Sequence, residues 1–263
     1  MELVGTVESL WRYPVKSMRG EALQEAFVGF PGLYGDRLYA FRNSAAPKRL
    51  PYLTSREVET MLLYQPQYRN QPRMTKPANL AEAEAAGIGL TPVYAGPADL
   101  ALDVDTPSGE RVAIGDPRLI ELLRAQPGEE NELTLLRSDR AMTDCRPVSL
   151  ISTDTVRRLG EELGISLDKR RFRANIYLNL KSGKGFDEDL FVGRTLRVGA
   201  KTTIAVMHRD TRCKMVTLDP DTGEQNARIM KHLAGTHETK AGVYGVVLIE
   251  GLIHPGDEIS LLD

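Results

Sequence analysis

One cysteine stands in a setting that suits chemistry. Cys213 follows Arg209 and Arg212 and precedes Lys214, so cations surround its thiol in the sequence. A positive field favours the thiolate, which is the form of cysteine that attacks electrophiles and binds metals. The alternative is a buried cysteine that packs as a small hydrophobic residue, and local sequence alone favours this alternative. Other residues of the chain must decide between the two.

Two turns near the amino terminus offer groups that bind anions. Pro14 stiffens a turn that presents the ammonium of Lys16 beside the hydroxyl of Ser17. Segment 32–37 contains two glycines, which permit close backbone approach, and it ends at Arg37, whose guanidinium can fork onto a phosphate. The alternatives are a solvated surface lysine in the first turn and a hairpin with a surface ion pair in the second.

Four basic residues precede a predicted strand in segment 169–173. If Phe172 packs inward, the period-two alternation of an extended chain places Arg171 and Arg173 together on the opposite face. An anion site and an ordinary solvated face fit this segment equally well. None of these segments identifies a site when it is considered alone.

The composition is that of an ordinary globular chain. Its 263 residues are 41% hydrophobic and 27% charged, and a net charge of −2 gives no general attraction to nucleic acid or anionic membranes. Two cysteines, Cys145 and Cys213, exclude a four-cysteine metal centre and a secreted disulfide framework. No signal segment precedes the first strand, and no apolar run reaches about 18 residues. We expect a cytoplasmic protein that binds neither nucleic acid nor membrane.

Short apolar runs separated by Gly and Pro predict a mainly β fold with few helices. The predicted strands are 4–10, 23–28, 38–41, 100–104, 111–114, 132–136, 176–180, 195–198, 203–207, 214–218, 243–249 and 258–262. The predicted helices are 58–64, 118–124 and 155–163, with a helical turn or two at 81–86. The proline-rich segment 66–97 is predicted as an elaborated loop. A break at 127–131 predicts two domains, 1–126 and 132–263.

The four histidines suggest no separate metal centre. His232 and His237 are five residues apart, whereas a helix aligns ligands at a spacing of four, and no cysteine is adjacent to either. We therefore expect surface histidines. His208 lies on the approach to Cys213, where it is either a partly buried strand residue or a proton shuttle. Cys145 stands outside the segments described above and is expected to be inert.

Taken together, the segments resemble the MOSC-domain family, named for the C-terminal domain of molybdenum cofactor sulfurase. The resemblance is most specific in Arg173-Ala174-Asn175, in Arg212-Cys213 and in the Asp-Pro-Asp-Thr-Gly sequence at 219–223. The family's N-terminal β-barrel portion resembles segments 13–17 and 32–37, and its MOSC domain resembles segment 147–263. The branch that the chain resembles most contains the mitochondrial amidoxime-reducing component and bacterial hydroxylaminopurine reductases. The implied fold is α+β but mainly β, with a MOSC barrel and an N-terminal barrel-like domain.

The resemblance also implies a ligand, the molybdenum–molybdopterin cofactor. Its metal takes a protein thiolate, which makes Cys213 the implied molybdenum ligand. Thr211 is implied to line the open face of the metal. Residues implied to contact the cofactor or to support its site are Lys16, Ser17, Arg37, Ser152, Arg173, Asn175 and Arg212. Ala174 departs from the family pattern, in which proline is usual.

The leading hypothesis for function is a molybdenum oxidoreductase that reduces N-oxygenated compounds such as N-hydroxylated bases, hydroxylamines and amidoximes. Because the sequence ends at Asp263 without a ferredoxin domain, we expect electrons from a separate protein, namely a ferredoxin, a cytochrome or a flavoprotein reductase. A second hypothesis is a carrier of molybdenum cofactor or sulfur that turns over no external substrate. A β-barrel protein that has lost the cofactor is the third.

Overall fold

A computed structural model describes residues 1–86, 96, 98–124 and 132–262 of the protein. Its sixteen strands are β1 (Glu2–Arg12), β2 (Glu21–Leu23), β3 (Ala26–Gly29), β4 (Gly32–Leu33), β5 (Tyr39–Asn43), β6 (Gln65–Tyr68), β7 (Leu102–Asp105), β8 (Arg111–Ala113), β9 (Leu133–Arg137), β10 (Val148–Ser152), β11 (Ile176–Leu180), β12 (Thr195–Val198), β13 (Thr202–Thr211), β14 (Lys240–Ile249), β15 (Gly251–Ile253) and β16 (Glu258–Leu261). The predicted mainly β fold is confirmed.

Helices are fewer and short. The α-helices of the described residues are α1 (Leu80–Ala86), α2 (Pro117–Arg124), α3 (Thr153–Leu163) and α4 (Ala227–Thr236). The 3-10 helices are Glu59–Leu63, Gln71–Met74, Lys169–Phe172, Asp187–Phe191 and Lys214–Thr217. None of the helices in the described ranges has the length and apolar character needed to cross a membrane.

Seven strands close into a barrel, in the order β11-β10-β14-β13-β12-β16-β1, and β1 returns to pair with β11. The pairs are antiparallel except that of β10 with β11, which is parallel. Side chains alternate along each strand, so one set faces the barrel interior. That interior is filled with aliphatic residues, among them Leu10, Leu150, Leu178, Val206 and Val243, each at most 1% exposed.

Three strands pair across the two halves of the chain. β1 comes from the amino-terminal half, yet its partners β11 and β16 come from the other half. In return β15 and β9, from the carboxyl-terminal half, pair with β3 and β5. The predicted domains 1–126 and 132–263 therefore share strands in both directions, and the break predicted at 127–131 lies outside the described residues.

Smaller sheets surround a second core in the amino-terminal half. These are β15-β3-β4, β5-β9 and β6-β7-β8. Their shared core contains Phe41, Met61, Tyr68, Leu102 and Leu119, all buried. A third cluster packs α3 and α4 against the outside of the barrel and against the 3-10 helix Lys214–Thr217.

The helix boundaries follow the local sequence. Ser152 precedes α3, and its hydroxyl accepts a hydrogen bond from the amide of Asp154, which satisfies one free amide of the first turn. Gly164 ends α3 in the left-handed conformation, with a φ of 67°, as the sequence predicts. Asp116 caps α2 through the amide of Arg118.

Three predictions about elements are wrong. Segment 214–218 is not a strand, because Val216 amide bonds to the Cys213 carbonyl and forms the 3-10 helix Lys214–Thr217. Segment 23–28 is split into β2 and β3. Segment 66–97 is not merely a loop, because its described part contains β6, a 3-10 helix and α1. Pro66 fits in β6 because β6 is an edge strand.

We expect Gly5→Ala to open the barrel where β1 meets β11. A Cβ at Gly5 would overlap the carbonyl oxygen of Asn179 and lie 3.0 Å from the Cα of Leu180. Because backbone cannot move aside cheaply, the free energy of unfolding should fall by about 2–3 kcal/mol. Urea denaturation of the wild type and of Gly5→Ala measures this difference in the free energy of unfolding. Gly235→Ala is the matched control, since its Cβ meets open space on α4, and equal stability of the two variants would contradict the packing described.

One buried carboxyl makes stability depend on pH. Glu188, in the 3-10 helix Asp187–Phe191, is fully buried and accepts a hydrogen bond of 2.7 Å from the hydroxyl of Thr155. Burial raises the pKa of Glu188 to about 7, from 4.5. The folded chain therefore keeps a proton that the unfolded chain has already released.

Glu188→Gln should remove this pH dependence. Between pH 4.5 and about 7 the unfolded chain binds fewer protons than the folded one, so wild-type stability falls as pH rises. The neutral glutamine should make the protein more stable than wild type by up to about 3 kcal/mol above that window. At pH values below this window, wild type and Glu188→Gln should have equal free energies of unfolding. Urea denaturation across the pH range measures the difference, and a constant offset would show that Glu188 is ionised throughout.

Candidate functional site

A cavity of about 450 Å³ opens between the barrel and the amino-terminal half. Its wall contains most of the residues that the sequence singles out, although they come from four separate stretches of the chain. Those brought together are Lys16, Ser17, Arg37, Arg173, Thr211, Arg212 and Cys213. The fold therefore places the predicted thiol and the predicted cations around one space.

Ser152 does not line this cavity, which corrects the prediction made for it. Its side chain is fully buried and caps α3, so its hydroxyl faces the helix. Ser149, three residues earlier on β10, lines the cavity instead. Side chains an odd number of positions apart point to opposite faces of a strand. Ser152, which the sequence pattern selected, therefore lies on the face opposite to Ser149 and away from the cavity.

Asn175 lies behind the cavity wall and does not line it. Its side-chain oxygen accepts hydrogen bonds from the amide and the hydroxyl of Ser149, at 3.2 and 3.1 Å. Its side-chain nitrogen donates to the carbonyl of Trp11. Asn175 thus connects β1 to β10 and holds Ser149 in place, and its support of a bound cofactor stays a prediction.

Three residues of the wall have a strained backbone. Ser17, Arg37 and Arg173 have φ angles of 67°, 47° and 50°, in the left-handed region that residues with a Cβ seldom adopt. They are three of the six non-glycine residues with positive φ in the described ranges. Such strain concentrates at functional sites, where the surrounding structure holds it in place.

Tyr13 organises two of the cations. Its ring lies between the guanidiniums of Arg37 and Arg173, whose central carbons are 4.6 and 4.3 Å from the ring centre. Arg37 also donates to the buried carboxylate of Asp36 at 2.5 Å and to the carbonyl of Arg173 at 2.9 Å. Burial raises the pKa of Tyr13, although the two guanidiniums oppose the shift. The phenol therefore stays neutral between two positive charges.

Arg173 is a partly buried cation without a close counter-charge. Its Nη2 has no hydrogen-bond partner among the described residues, and the carboxylate that acts on it from a distance, Asp36, is already paired with Arg37. Burial lowers the pKa of Arg173 to about 10, and the positive charge of Arg37 contributes to this. At neutral pH the guanidinium is still charged, and it lacks the anion that would stabilise it.

Lys16 does have a counter-charge. Its ammonium is 2.5 Å from the carboxylate of Asp144 and donates to the carbonyl of Met142 at 2.8 Å. Burial lowers the pKa of Lys16. Burial alone would raise the pKa of Asp144, but the nearby charge and hydrogen bond of Lys16 outweigh burial and lower that pKa, so Asp144 stays ionised. An anionic ligand would have to share Lys16 with Asp144.

Cys213 lies between β13 and the 3-10 helix Lys214–Thr217, and it is partly exposed. The cations next to it in sequence mostly point elsewhere: Lys214 pairs with Glu59, and Arg209 pairs with Asp189 and Glu238. Among the three cations that flank Cys213 in the sequence, Arg212 lines the cavity with it, so the expected local origin of the positive field applies to Arg212 alone. The cations that share the cavity with Cys213 come mainly from distant segments, through Arg37, Arg56, Arg171 and Arg173.

Arg212 positions the loop that carries Cys213. Its guanidinium donates to the carbonyls of Ala241 and Phe172, each at 2.7 Å, and pairs with Asp210 at 2.8 Å. Burial raises the pKa of Asp210 to about 6, although Arg212 opposes the shift. The loop is thereby fixed to β14 and to the basic segment that ends at Arg173.

Several residues of the wall were not predicted as site residues. Cys145, expected to be inert, lies at the cavity with its Sγ 3.2 Å from Nε2 of His208. Nδ1 of His208 is 3.0 Å from the carbonyl of Arg209, which accepts only from an N–H. Nδ1 therefore carries a proton, and Nε2 shares a hydrogen bond with the sulfur of Cys145. Asp144 and Tyr244 were also missed, because only the fold brings them to Cys213.

The wall is strongly basic overall. Seven cationic side chains line it against two carboxylates, those of Asp144 and Asp210. This contrasts with the net charge of −2 for the whole chain, so the positive charge is concentrated at the cavity. A concave basic site of this volume suits a small anionic ligand with several acceptors.

Two family descriptions match the sequence. The MOSC N-terminal beta barrel domain matches residues 4–96, and the MOSC domain matches residues 137–260. Every cavity residue named above lies within one of these two ranges. No curated protein matches the chain.

Solved structures with detectable similarity are distant. The YuaD protein of Bacillus subtilis has 12% identity and a TM-score of 0.46, with 98% of this chain and 96% of that chain covered. YiiM from Geobacillus stearothermophilus has 21% identity and a TM-score of 0.36, and YiiM from Escherichia coli has 15% and 0.34; each covers 45% of this chain and 55% of its own. Family membership therefore rests on the two sequence matches.

The two sequence matches confirm the resemblance to the MOSC-domain family, and they agree with the mainly β fold. MOSC domains are associated with proteins that bind the molybdenum cofactor. The chain belongs to the MOSC-domain family and carries both the MOSC N-terminal beta barrel domain and the MOSC domain.

Proposed function

We propose that the protein is a molybdenum-cofactor-dependent oxidoreductase that reduces N-oxygenated compounds, with Cys213 as the molybdenum ligand. One observation carries the proposal. Arg173 is a partly buried cation without a paired carboxylate, and its Nη2 is out of contact with solvent. It lines the same cavity as the partly exposed thiol of Cys213. A basic site beside a free thiol suits an anionic ligand that contains a soft metal.

The residues of the wall fit the parts of the proposed cofactor. Arg173, Arg37 and Lys16 provide charge-assisted donors for its phosphate, and Ser17 adds a hydroxyl at the same turn. Cys213 supplies the thiolate for its metal. Bound there, the cofactor would supply two-electron oxygen transfer, while the protein binds and orients it and keeps one face accessible. Thr211 and Tyr244 line the space near Cys213 where a substrate would lie.

The reduction needs protons as well as electrons. Conversion of an N-hydroxyl compound to the amine consumes two electrons and two protons and releases water. His208 and Cys145 form a hydrogen-bonded pair on the cavity wall, and a histidine exchanges protons near neutral pH. We assign proton delivery to this pair. The electrons come, in this proposal, from a separate ferredoxin, cytochrome or flavoprotein reductase.

The proposal is tested with protein produced in a host that makes the molybdenum cofactor. We expect elemental analysis to find stoichiometric molybdenum, and we expect turnover of an amidoxime or an N-hydroxylated base with a chemical electron donor. Cys213→Ala should lose both, because it removes the ligand of the metal. Bound molybdenum without turnover would support the cofactor carrier instead. Absence of molybdenum from the wild-type protein would contradict both functions.

Replacing Arg173 tests the anion site separately. Arg173→Gln should reduce cofactor retention after gel filtration by roughly tenfold or more, since a charge-assisted contact in a buried site is lost. The same change should stabilise the cofactor-free protein, because it removes an uncompensated buried charge. Arg157→Gln is the control, as Arg157 is an exposed residue of α3 paired with Asp154 and Glu161. Equal retention by both variants would exclude Arg173 from the site.

A further inference from the structure

We propose that Glu162, His232 and His237 form a zinc-binding site, separate from the basic cavity, that joins the end of α3 to the end of α4. Nε2 of each histidine is 2.7 Å from the same carboxylate oxygen of Glu162. The three candidate ligand atoms lie within 4.8 Å of one another. Two imidazoles and a carboxylate are a donor set that zinc takes, with water in the fourth position.

The end of α4 explains how a spacing of five residues brings the two histidines together. A continuous helix would turn His237 away from His232. Here α4 ends at Thr236, and His237 has a φ of −126° and leaves the helical path. The two rings meet with their centres 5.7 Å apart. The sequence leads us to expect surface histidines; each side chain is about a fifth exposed, and both contact the same carboxylate.

Neighbouring groups hold two of the ligands in position. Arg158 donates to the other carboxylate oxygen of Glu162 at 2.7 Å, which turns Oε2 toward the histidines. Phe186 stacks on His237 with ring centres 4.1 Å apart and planes 15° from parallel. Support of this kind orients metal ligands and strengthens binding. Without a metal, Oε2 of Glu162 accepts a hydrogen bond from the Nε2–H group of each histidine. With zinc bound, each Nε2 would coordinate the metal, and the hydrogen of each imidazole would lie on Nδ1.

The charges around the site permit a divalent cation. Arg158 is a positive neighbour, but Asp189 is close enough to His237 for their charges to interact. For tetrahedral zinc, ligand atoms about 2.0–2.1 Å from the metal lie roughly 3.3 Å apart. The existing spacing therefore needs only small side-chain rotations. The ligands remain partly exposed, so the ion can enter from solvent.

The metal would hold two helices that pack beneath the proposed molybdenum ligand. Leu163 of α3 and Leu233 of α4 belong to one buried cluster with Val216, which lies in the 3-10 helix that begins directly after Cys213. Zinc at the far end of these helices would restrain their separation without contacting the basic cavity. We therefore expect it to stabilise the fold and not to take part in the reduction.

The test is zinc binding by the full chain after removal of metals with a chelator. Competition with a chromogenic chelator should show one tight site, and zinc at about 100 times the dissociation constant should raise the Tm by roughly 5 °C. His237→Ala and Glu162→Gln should each weaken binding by more than about 100-fold and abolish the rise in Tm. Glu162→Gln preserves the shape of the side chain, so a folding defect in the alanine variant would not leave the question undecided.

Two controls separate this site from others. His254→Ala is the matched variant, because His254 is exposed and has carboxylates but no second histidine nearby, and it should bind zinc like wild type. Cobalt(II) in place of zinc should give visible d–d bands without a thiolate charge-transfer band, since no sulfur is a ligand. Unchanged affinity in His237→Ala and Glu162→Gln would overturn the proposal. A thiolate band lost in Cys213→Ala would also overturn it, by placing the metal in the basic cavity.

Discussion

The location of β1 between β11 and β16 determines where the whole site forms. Both edges of β1 are paired, so the point at which the chain leaves the barrel, after Arg12, cannot shift without breaking two ladders of hydrogen bonds. The following turn therefore emerges beside the segment that contains Arg173 and Asn175. Tyr13 enters between two guanidiniums as a direct result. The same strand, β1, therefore both closes the barrel and positions the anion site.

The basic cavity is electrostatically unfavourable in the protein alone. Three of its residues have left-handed backbone conformations, and Arg173 is partly buried without a paired carboxylate. Cation–π contacts with Tyr13 and the Asp36–Arg37 pair offset only part of the repulsion. The large aliphatic and aromatic cores must supply the remaining stability. An unfavourable arrangement of this kind is typical of sites that bind a ligand of opposite charge.

Much of the fold was accessible from the sequence, because half-buried strands alternate in polarity and short helices have caps. The site was accessible only in part. Ser17, Arg37 and Arg173 are recognisable from their motifs, but Ser152 could not be distinguished from Ser149 without the register of β10. Asp144 and Cys145 belong to no recognised motif, since only the fold brings them to the cavity. Segment 214–218 is predicted as a strand and forms a 3-10 helix, because an apolar run of this length fits either structure.

The exchange of β1 and β15 between the two halves has a consequence for how the molecule assembles during synthesis. β1 precedes both of its barrel partners in the chain, so Gly5 must wait for Leu180 and Ile259 before both of its edges are paired. Contacts so distant in sequence form slowly and leave strand edges exposed in the meantime. The first half of the chain likewise lacks β15 until Gly251–Ile253 has been synthesised. The cavity therefore cannot form on the amino-terminal half alone, and any ligand must be inserted after the segments of both halves have come together.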